Sequence, residues 1–351
     1  MGHSNVRWLV ISNFSQVVHL ASPLEGLLLH KLKLSHCNKI KTISSLASLT
    51  SLQSLKLVYC PEIRDLSPIL PYSSNLTKLD LSGSKRITAA SFSNVAAHFT
   101  ERMEQLVVDF SHRIQLATIS MPINRWNLKE LGAVCCDIVT PNITILTSSL
   151  VKLDLEGCNV TDAILQVISR NCVILGDLSL KECPLINSNS LTIINNITTL
   201  QKLSLSKCLK IKECDITLPS LSEFEICSTK ITQFKCDSTT LKTLDVSGCT
   251  SIHLQPFIQS ISSSPLQNLW LKGIPLSKDL LESISLNCSN LRILNLTGVI
   301  PLDVDYFAEG IAAVAERCLY LERMYLSSSP GLEATIQQIE DNFPMITITC
   351  L

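Results

Sequence analysis

The chain has little net charge, few aromatics, few glycines and no long apolar run. Lys and Arg total 29 against 30 Asp and Glu, a formal net charge of −1. That balance supplies no long-range pull on phosphates, so nucleic acid is not an expected partner. Eleven glycines exclude a collagen-like chain, and 17% charged residues are too few for a coiled coil. Apolar residues reach 46%, too many for a disordered polyelectrolyte. No run of about 18 apolar residues occurs, so no membrane-spanning helix is expected. The sequence also lacks a C-x-x-C pair matched to a second pair or to histidines, a glycine-rich phosphate loop and a G-x-S-x-G turn. The seven histidines form no spaced pair with an acid or nucleophile. No metal, no cofactor and no enzymatic activity are therefore expected.

What the chain does have is leucine. There are 57 in 351 residues, about one in six, while aromatics are only 5%. Leucine excess without aromatics points to an internal repeat. The spacing L-x-x-L-x-L begins clearly at Leu29, Leu52, Leu76, Leu150, Leu175, Leu200, Leu266 and Leu291. Weaker copies start at Val6, Met103, Leu128, Leu221, Leu241, Leu321 and Phe343. These 15 starts are spaced 20 to 30 residues apart, and all 45 slots at the start, +3 and +5 are apolar, 33 of them leucine. A further apolar residue falls at +11, for example Ile40, Ile63, Ile87, Val139, Ile186, Leu302 and Leu332. Where Thr161, Thr232 or Ser277 takes that slot, Val160, Ile231 or Leu276 precedes it, as a one-residue deletion in the turn would produce.

Residues +3 and +5 lie on one side of a strand, and the start and +11 residues fill the space behind it. One repeat cannot bury this face alone, so repeats must stack. The spacing predicts an α/β fold: a solenoid (horseshoe) of about 15 repeats with a parallel sheet on its concave face. Its convex face would carry helices, 3₁₀ or extended segments. The whole chain, 1–351, reads as a single domain. Thr161-Asp162 and Ser277 cap apolar stripes that predict helices, and residues 304–315 form the longest predicted helix. The repeats from Leu200 and Leu221, only 21 and 20 residues long, lack room for a regular helix.

Ten of 15 cysteines follow the repeat. Cys37, Cys60, Cys136, Cys158, Cys183, Cys208 and Cys249 sit at +8, where Ser84, Ser111, Thr229 and Ser329 take other repeats. Cys172, Cys288 and Cys318 lie three residues before a start. These are expected to be buried reduced thiols reaching loop carbonyls, which favours a cytoplasmic or nuclear protein.

The run Cys172, Leu175, Leu178, Leu180, Cys183 resembles the cysteine-containing class of leucine-rich repeats. That class resembles the repeat arm of F-box/leucine-rich-repeat proteins, which implies the substrate-recognition subunit of a cullin-type ubiquitin ligase. Only five residues precede the first repeat, so no F-box is expected. The primary expectation is a non-enzymatic scaffold that binds a protein partner on its concave strand face. A receptor ectodomain is a remote alternative, since no cysteine-paired caps close the ends. Uncapped ends would also let the array self-associate.

Partner contacts would come from +2, +4 and +6 residues. The candidates are Lys33, Lys56, Asp154, Glu156, Glu225, Asp245, Trp270, Arg323 and Tyr325. Trp270 and Tyr325 are the expected anchors, because exposed Trp and Tyr dominate interface energetics. Trp8 also falls at +2, in the first repeat.

Overall fold

A computed structural model describes residues 6–14, 16–19, 24, 26–115, 126–136, 146–275, 277–299, 304–328 and 331–351. Among the sequence candidates, Val139, Leu276, Leu302 and Ser329 lie outside the described residues. The chain forms two compact units, Met1–Asp177 and Leu178–Leu351.

Among the described residues, the first unit carries seven parallel strands in chain order. They are β1 (Trp8–Ser12), β2 (Lys31–Ser35), β3 (Ser54–Val58), β4 (Lys78–Asp80), β5 (Gln105–Val107), β6 (Glu130–Gly132) and β7 (Lys152–Asp154). The register is set by the +3 leucines. Leu9, Leu32, Leu55, Leu79, Leu106, Leu131 and Leu153 lie opposite one another from strand to strand. From Leu32 onward each is buried. Burying one such side chain contributes roughly 1.5–3 kcal/mol, so the leucine ladder holds the stack together. Among the described residues, three early segments that return behind the sheet form short elements. Two are 3₁₀ turns, Ser44–Ser48 and Ser67–Asn75, and one is helix α1 (Ala89–Ala96), whose N-cap Thr88 accepts a hydrogen bond from the Ser91 amide.

Strand β8 (Asp177–Ser179) lies at the division between the units. The second unit continues the pattern with β9 (Lys202–Ser204), β11 (Glu223–Glu225), β13 (Thr243–Asp245), β14 (Asn268–Trp270), β15 (Ile293–Asn295), β16 (Arg323–Leu326) and β17 (Thr347–Cys350), again parallel and in that order. Its helices are α3 (Ser190–Ile194), α4 (Leu254–Ser262), α5 (Lys278–Asn287), α6 (Val304–Arg317) and α7 (Glu333–Asn342); the first unit holds α2 (Asp162–Asn171) besides α1. Thr161 caps α2 and Ser277 caps α5, each accepting from the amide three residues on, as the sequence predicts. The longest helix is α6, at 14 residues. The two short repeats use extended segments, β10 (Glu213–Ile216) and β12 (Gln233–Cys236), which pair as a separate two-stranded parallel sheet. The sequence anticipates the extended conformation. The pairing arises because two consecutive short repeats place these segments side by side.

The +11 contact is kept at most described positions, although Val17 of the first repeat is only half-buried. Ile40, Ile63, Ile87, Ile186, Ile211 and Leu332 are all fully buried, and so are the displaced Val160 and Ile231. The architecture is thus an α/β leucine-rich solenoid, with strands on one side and helical, 3₁₀ or extended returns on the other. The final repeat departs from the expected register. Met324 of β16 lies opposite Ile348, not Ile346, a shift of two residues. A shift of two preserves the side-chain alternation, so the strand keeps the same face inward. Ile346 remains buried at 7% exposure, while Phe343, the expected start, is only half-buried. At the other end Val6 is exposed, because no earlier strand covers it among the described residues.

Candidate functional site

Each unit presents one solvent-facing row of +4 residues and one of +2 residues. In the first unit the +4 row reads Val10, Lys33, Lys56, Asp80, Val107, Gly132, Asp154 across β1 to β7. The candidates Lys33 and Lys56 are direct neighbours, and Asp154 lies four strands beyond Lys56. In the second unit the +4 row reads Ser204, Glu225, Asp245, Trp270, Asn295, Tyr325, Thr349. It gathers Glu225, Asp245, Trp270 and Tyr325 on one face, with Arg323 two residues before Tyr325 on the same strand. Trp270 and Tyr325 are half-buried, with Asn295 between them.

Some of these side chains already have a structural task. Asp154 accepts the amide of Glu156, Asp245 that of Ser247, and Asn295 that of Thr297. Asp80 does the same for Ser82. An acid or amide at +4 thus ties down the +6 amide where the chain leaves the strand. Other charges are paired across strands: Lys202 with Glu223 at 2.7 Å, Lys152 with Asp177 at 3.0 Å, and Arg292 with Glu322 at 2.8 Å.

The cysteines of the +8 slot form a hydrogen-bonded column. Cys136 donates to the carbonyl of Val108, Cys158 to Ala133, Cys208 to Leu180 and Cys249 to Ile226, all at 3.0–3.1 Å. Each acceptor is the +5 carbonyl of the preceding repeat, and Ser111 makes the same bond to Leu81 at 2.8 Å. Burial pushes the thiols of Cys60 and Cys158 up to about 12, so they stay protonated donors. Among the described residues no group of three His, Cys, Asp or Glu could hold a metal ion.

One repeated feature escapes the leucine pattern. Among the described residues, all eight non-glycine residues with positive φ fall at +7: Asn13, His36, Tyr59, Phe110, Cys135, Glu182, Lys207 and Ser228. Glycine takes the same slot at Gly83, Gly157, Gly248, Gly273 and Gly298. The left-handed turn costs roughly 1–2 kcal/mol for a residue with a Cβ. It is held because the +7 amide donates to the +6 carbonyl of the next repeat, as from His36 to Val58 and from Tyr59 to Ser82. In the first unit this column also stacks rings. His36 and Tyr59 have centroids 5.2 Å apart, and Tyr59 reaches over Gly83 to Phe110 at 6.4 Å. A Cβ at Gly83 would meet the Tyr59 ring at 2.6 Å, so glycine makes room for the bridge. The recurrence of five glycines at one slot is the sequence signal for this turn.

A basic patch of the first unit was only partly marked by sequence. Arg7, Lys31, Lys33, Lys56 and Lys78 line a concavity of about 730 Å³ whose edge holds Trp8, 67% exposed. Further along the unit an acidic cluster follows. Burial, and then the neighbouring carboxylates of Asp154, Asp80 and Glu156, raise Asp109 to about 6 against the pull of its bond from the Val134 amide. No helix among the described residues is long and apolar enough to cross a membrane.

Comparison with known proteins agrees with this geometry. A family model described as Leucine Rich repeat matches residues 148–169 and 237–253. No curated protein sequence matches the chain. Among solved structures, an internalin from Listeria monocytogenes is similar at a TM-score of 0.63 and 18% identity, covering 91% of this chain and 86% of that one. A chain from the yeast complex of Rad7 and Elc1 is similar at a TM-score of 0.50 and 20% identity, covering 91% and 75%. These likenesses concern the fold, a stack of leucine-rich repeats. With the in-register leucine ladder and the matched repeats, they give the chain the fold of a leucine-rich repeat solenoid.

Proposed function

We propose that the protein is a non-enzymatic scaffold that binds a protein partner on its solvent-facing strand rows. The observation that carries this reading is the +4 row of the second unit. It sets Trp270 and Tyr325 two strands apart, about 9.6 Å at ordinary strand spacing, flanked by Glu225, Asp245 and Arg323. Half-buried aromatics on a rigid sheet lose little conformational freedom on binding and suit interface anchors. The likeness to a chain from a two-protein complex supports a partner of the same kind. The column of protonated, hydrogen-bonded thiols supports residence in a reducing compartment, cytoplasm or nucleus.

The test uses the full chain as bait. Trp270→Ala with Tyr325→Ala should lower retention of the captured partner at least about tenfold while the melting temperature holds. Unchanged retention would remove these anchors. A second reading, a substrate arm of a cullin-type ubiquitin ligase, draws on the cysteine-containing repeat phrase that includes buried Cys172 and Cys183. A cullin adaptor among the captured proteins would favour it, and its absence would leave the general scaffold.

A further inference from the structure

The first unit carries a charge pattern that its own fold does not use. Lys33 sits directly opposite Lys56, and Lys31 is one strand from Ser54, whose other neighbour is Lys78. Strand neighbours lie about 4.8 Å apart, so these ammonium groups repel one another on the free surface. Only Lys56 has a carboxylate within 4.0 Å, Asp80 at 3.9 Å; Lys31, Lys33, Lys78 and Arg7 have none among the described residues. Other sheet lysines of the chain are paired, as Lys152 and Lys202 are. The lysines also line a concavity rather than a flat wall, which strengthens their combined field. Apolar surface lies beside them at Trp8 and Val10, 67% and 44% exposed. Beyond β4 the sign reverses at Glu130, Asp109 and Asp154, and the one lysine of that stretch on a strand, Lys152 of β7, is already taken by Asp177.

We propose that this face of the first unit binds an extended polypeptide segment whose acidic residues lie over β1–β4 and whose basic residues lie over β5–β7. The proposal deepens the scaffold reading by assigning the partner's chemistry. Seven strands span about 29 Å at ordinary spacing, the length of about nine extended residues. The reversal of sign selects the occupant. A single-stranded nucleic acid is uniformly anionic, and one laid along the face would run from the lysines onto Glu130 and Asp154. An anionic membrane would meet the same repulsion and could not enter a recessed surface. A polypeptide can change sign along its length.

The test measures fluorescence anisotropy with the full chain and four probes. The first is a capped peptide of about ten residues with an acidic first half, a central leucine and a lysine-rich second half. The second has the same composition with charges alternating. The third is an oligouridylate of similar length, and the fourth is phosphatidylcholine vesicles containing phosphatidylserine. The block peptide should bind, weaken with added salt, and exceed the alternating peptide by about tenfold or more. Lys31→Glu with Lys33→Glu should lower its affinity by about tenfold or more with an unchanged circular dichroism spectrum. Lys33→Gln should lower it about threefold without lowering the melting temperature, because it relieves like-charge repulsion. Equal binding of both peptides, indifference to the lysine variants, or tighter binding of the oligouridylate or vesicles would overturn the proposal. If the lysine variants change nothing while Trp270→Ala with Tyr325→Ala still releases a captured partner, the scaffold reading stands and this one falls.

Discussion

The two units use the same backbone to present opposite surfaces. In the first, the +4 row carries adjacent lysines, one unpaired at β2 and one weakly paired at β3, and a ring stack runs along the +7 turn. In the second, the +4 row is acidic and aromatic, and the +2 lysine of β9, Lys202, is held by Glu223. Behind the sheet the contrast continues, with 3₁₀ turns in the early repeats and longer helices in the late ones. The lesson is that inward positions are interchangeable from repeat to repeat and outward positions are not. Packing demands an apolar side chain at +3 wherever the repeat falls, whereas nothing in the fold demands a lysine at +4 in one unit or a tryptophan in the other.

The first way to sharpen this comparison is to show that the cores are equivalent. Leu106→Ala in the first unit and Leu244→Ala in the second remove side chains at 0% exposure. Each should cost about 3–5 kcal/mol, the lost transfer energy plus the cavity, measured by urea unfolding. A cost below about 1 kcal/mol at either site would break the equivalence.

The +7 turn separates the units more finely. Gly83 and Gly273 share a left-handed backbone, φ +71 and +68. An alanine at Gly83 also collides with the Tyr59 ring, whereas nothing lies within 4 Å of a Cβ at Gly273. Gly83→Ala should therefore cost about 2–3 kcal/mol and Gly273→Ala about 1, the backbone strain alone. Equal losses would mean that the ring bridge over Gly83 contributes nothing.

A pH-dependent effect concerns the acidic cluster. The carboxyl of Asp109 is raised from 3.8 to about 6 by burial and then by neighbouring carboxylates. A raised acid binds its proton more tightly in the folded state. Its favourable contribution is complete below the unfolded value near 4 and is lost as pH rises through about 6. Asp109→Asn, which retains an oxygen for the Val134 amide, should stabilise by about 1–2 kcal/mol at pH 7 and by almost nothing at pH 4. Thermal melts at the two pH values check the sign, and stabilisation at pH 4 alone would reverse it.

Much of the fold could be read from residue spacing, since a strand turns successive side chains to opposite faces and a buried face must be apolar. Leu55, Leu79 and Leu106 announce their register directly. The helix starts at Thr161 and Ser277 were equally legible, because capping is a local hydrogen bond. The last repeat was not, because Phe343, Ile346 and Ile348 fit the leucine spacing, whereas the pairing sets Ile348 opposite Met324 and Cys350 opposite Leu326. Only pairing with β16 decides between the two registers. The site was half legible. Sequence nominated Lys33, Lys56, Trp270 and Tyr325, but Asp154 and Asp245 proved to be engaged by backbone amides as well. Arg7 and Asp109 acquire their meaning only from neighbours a repeat or more away.

By itself, then, the sequence determined the repeat, the strand, its inward face and the thiol column, because each depends on contacts that recur at fixed spacing. The tertiary structure decided what a single repeat cannot contain. It placed Lys33 against Lys56, carried Tyr59 across Gly83 to Phe110, and paired β10 with β12. These depend on which residues meet between successive repeats, and spacing within one repeat carries no information about its neighbour's side chains.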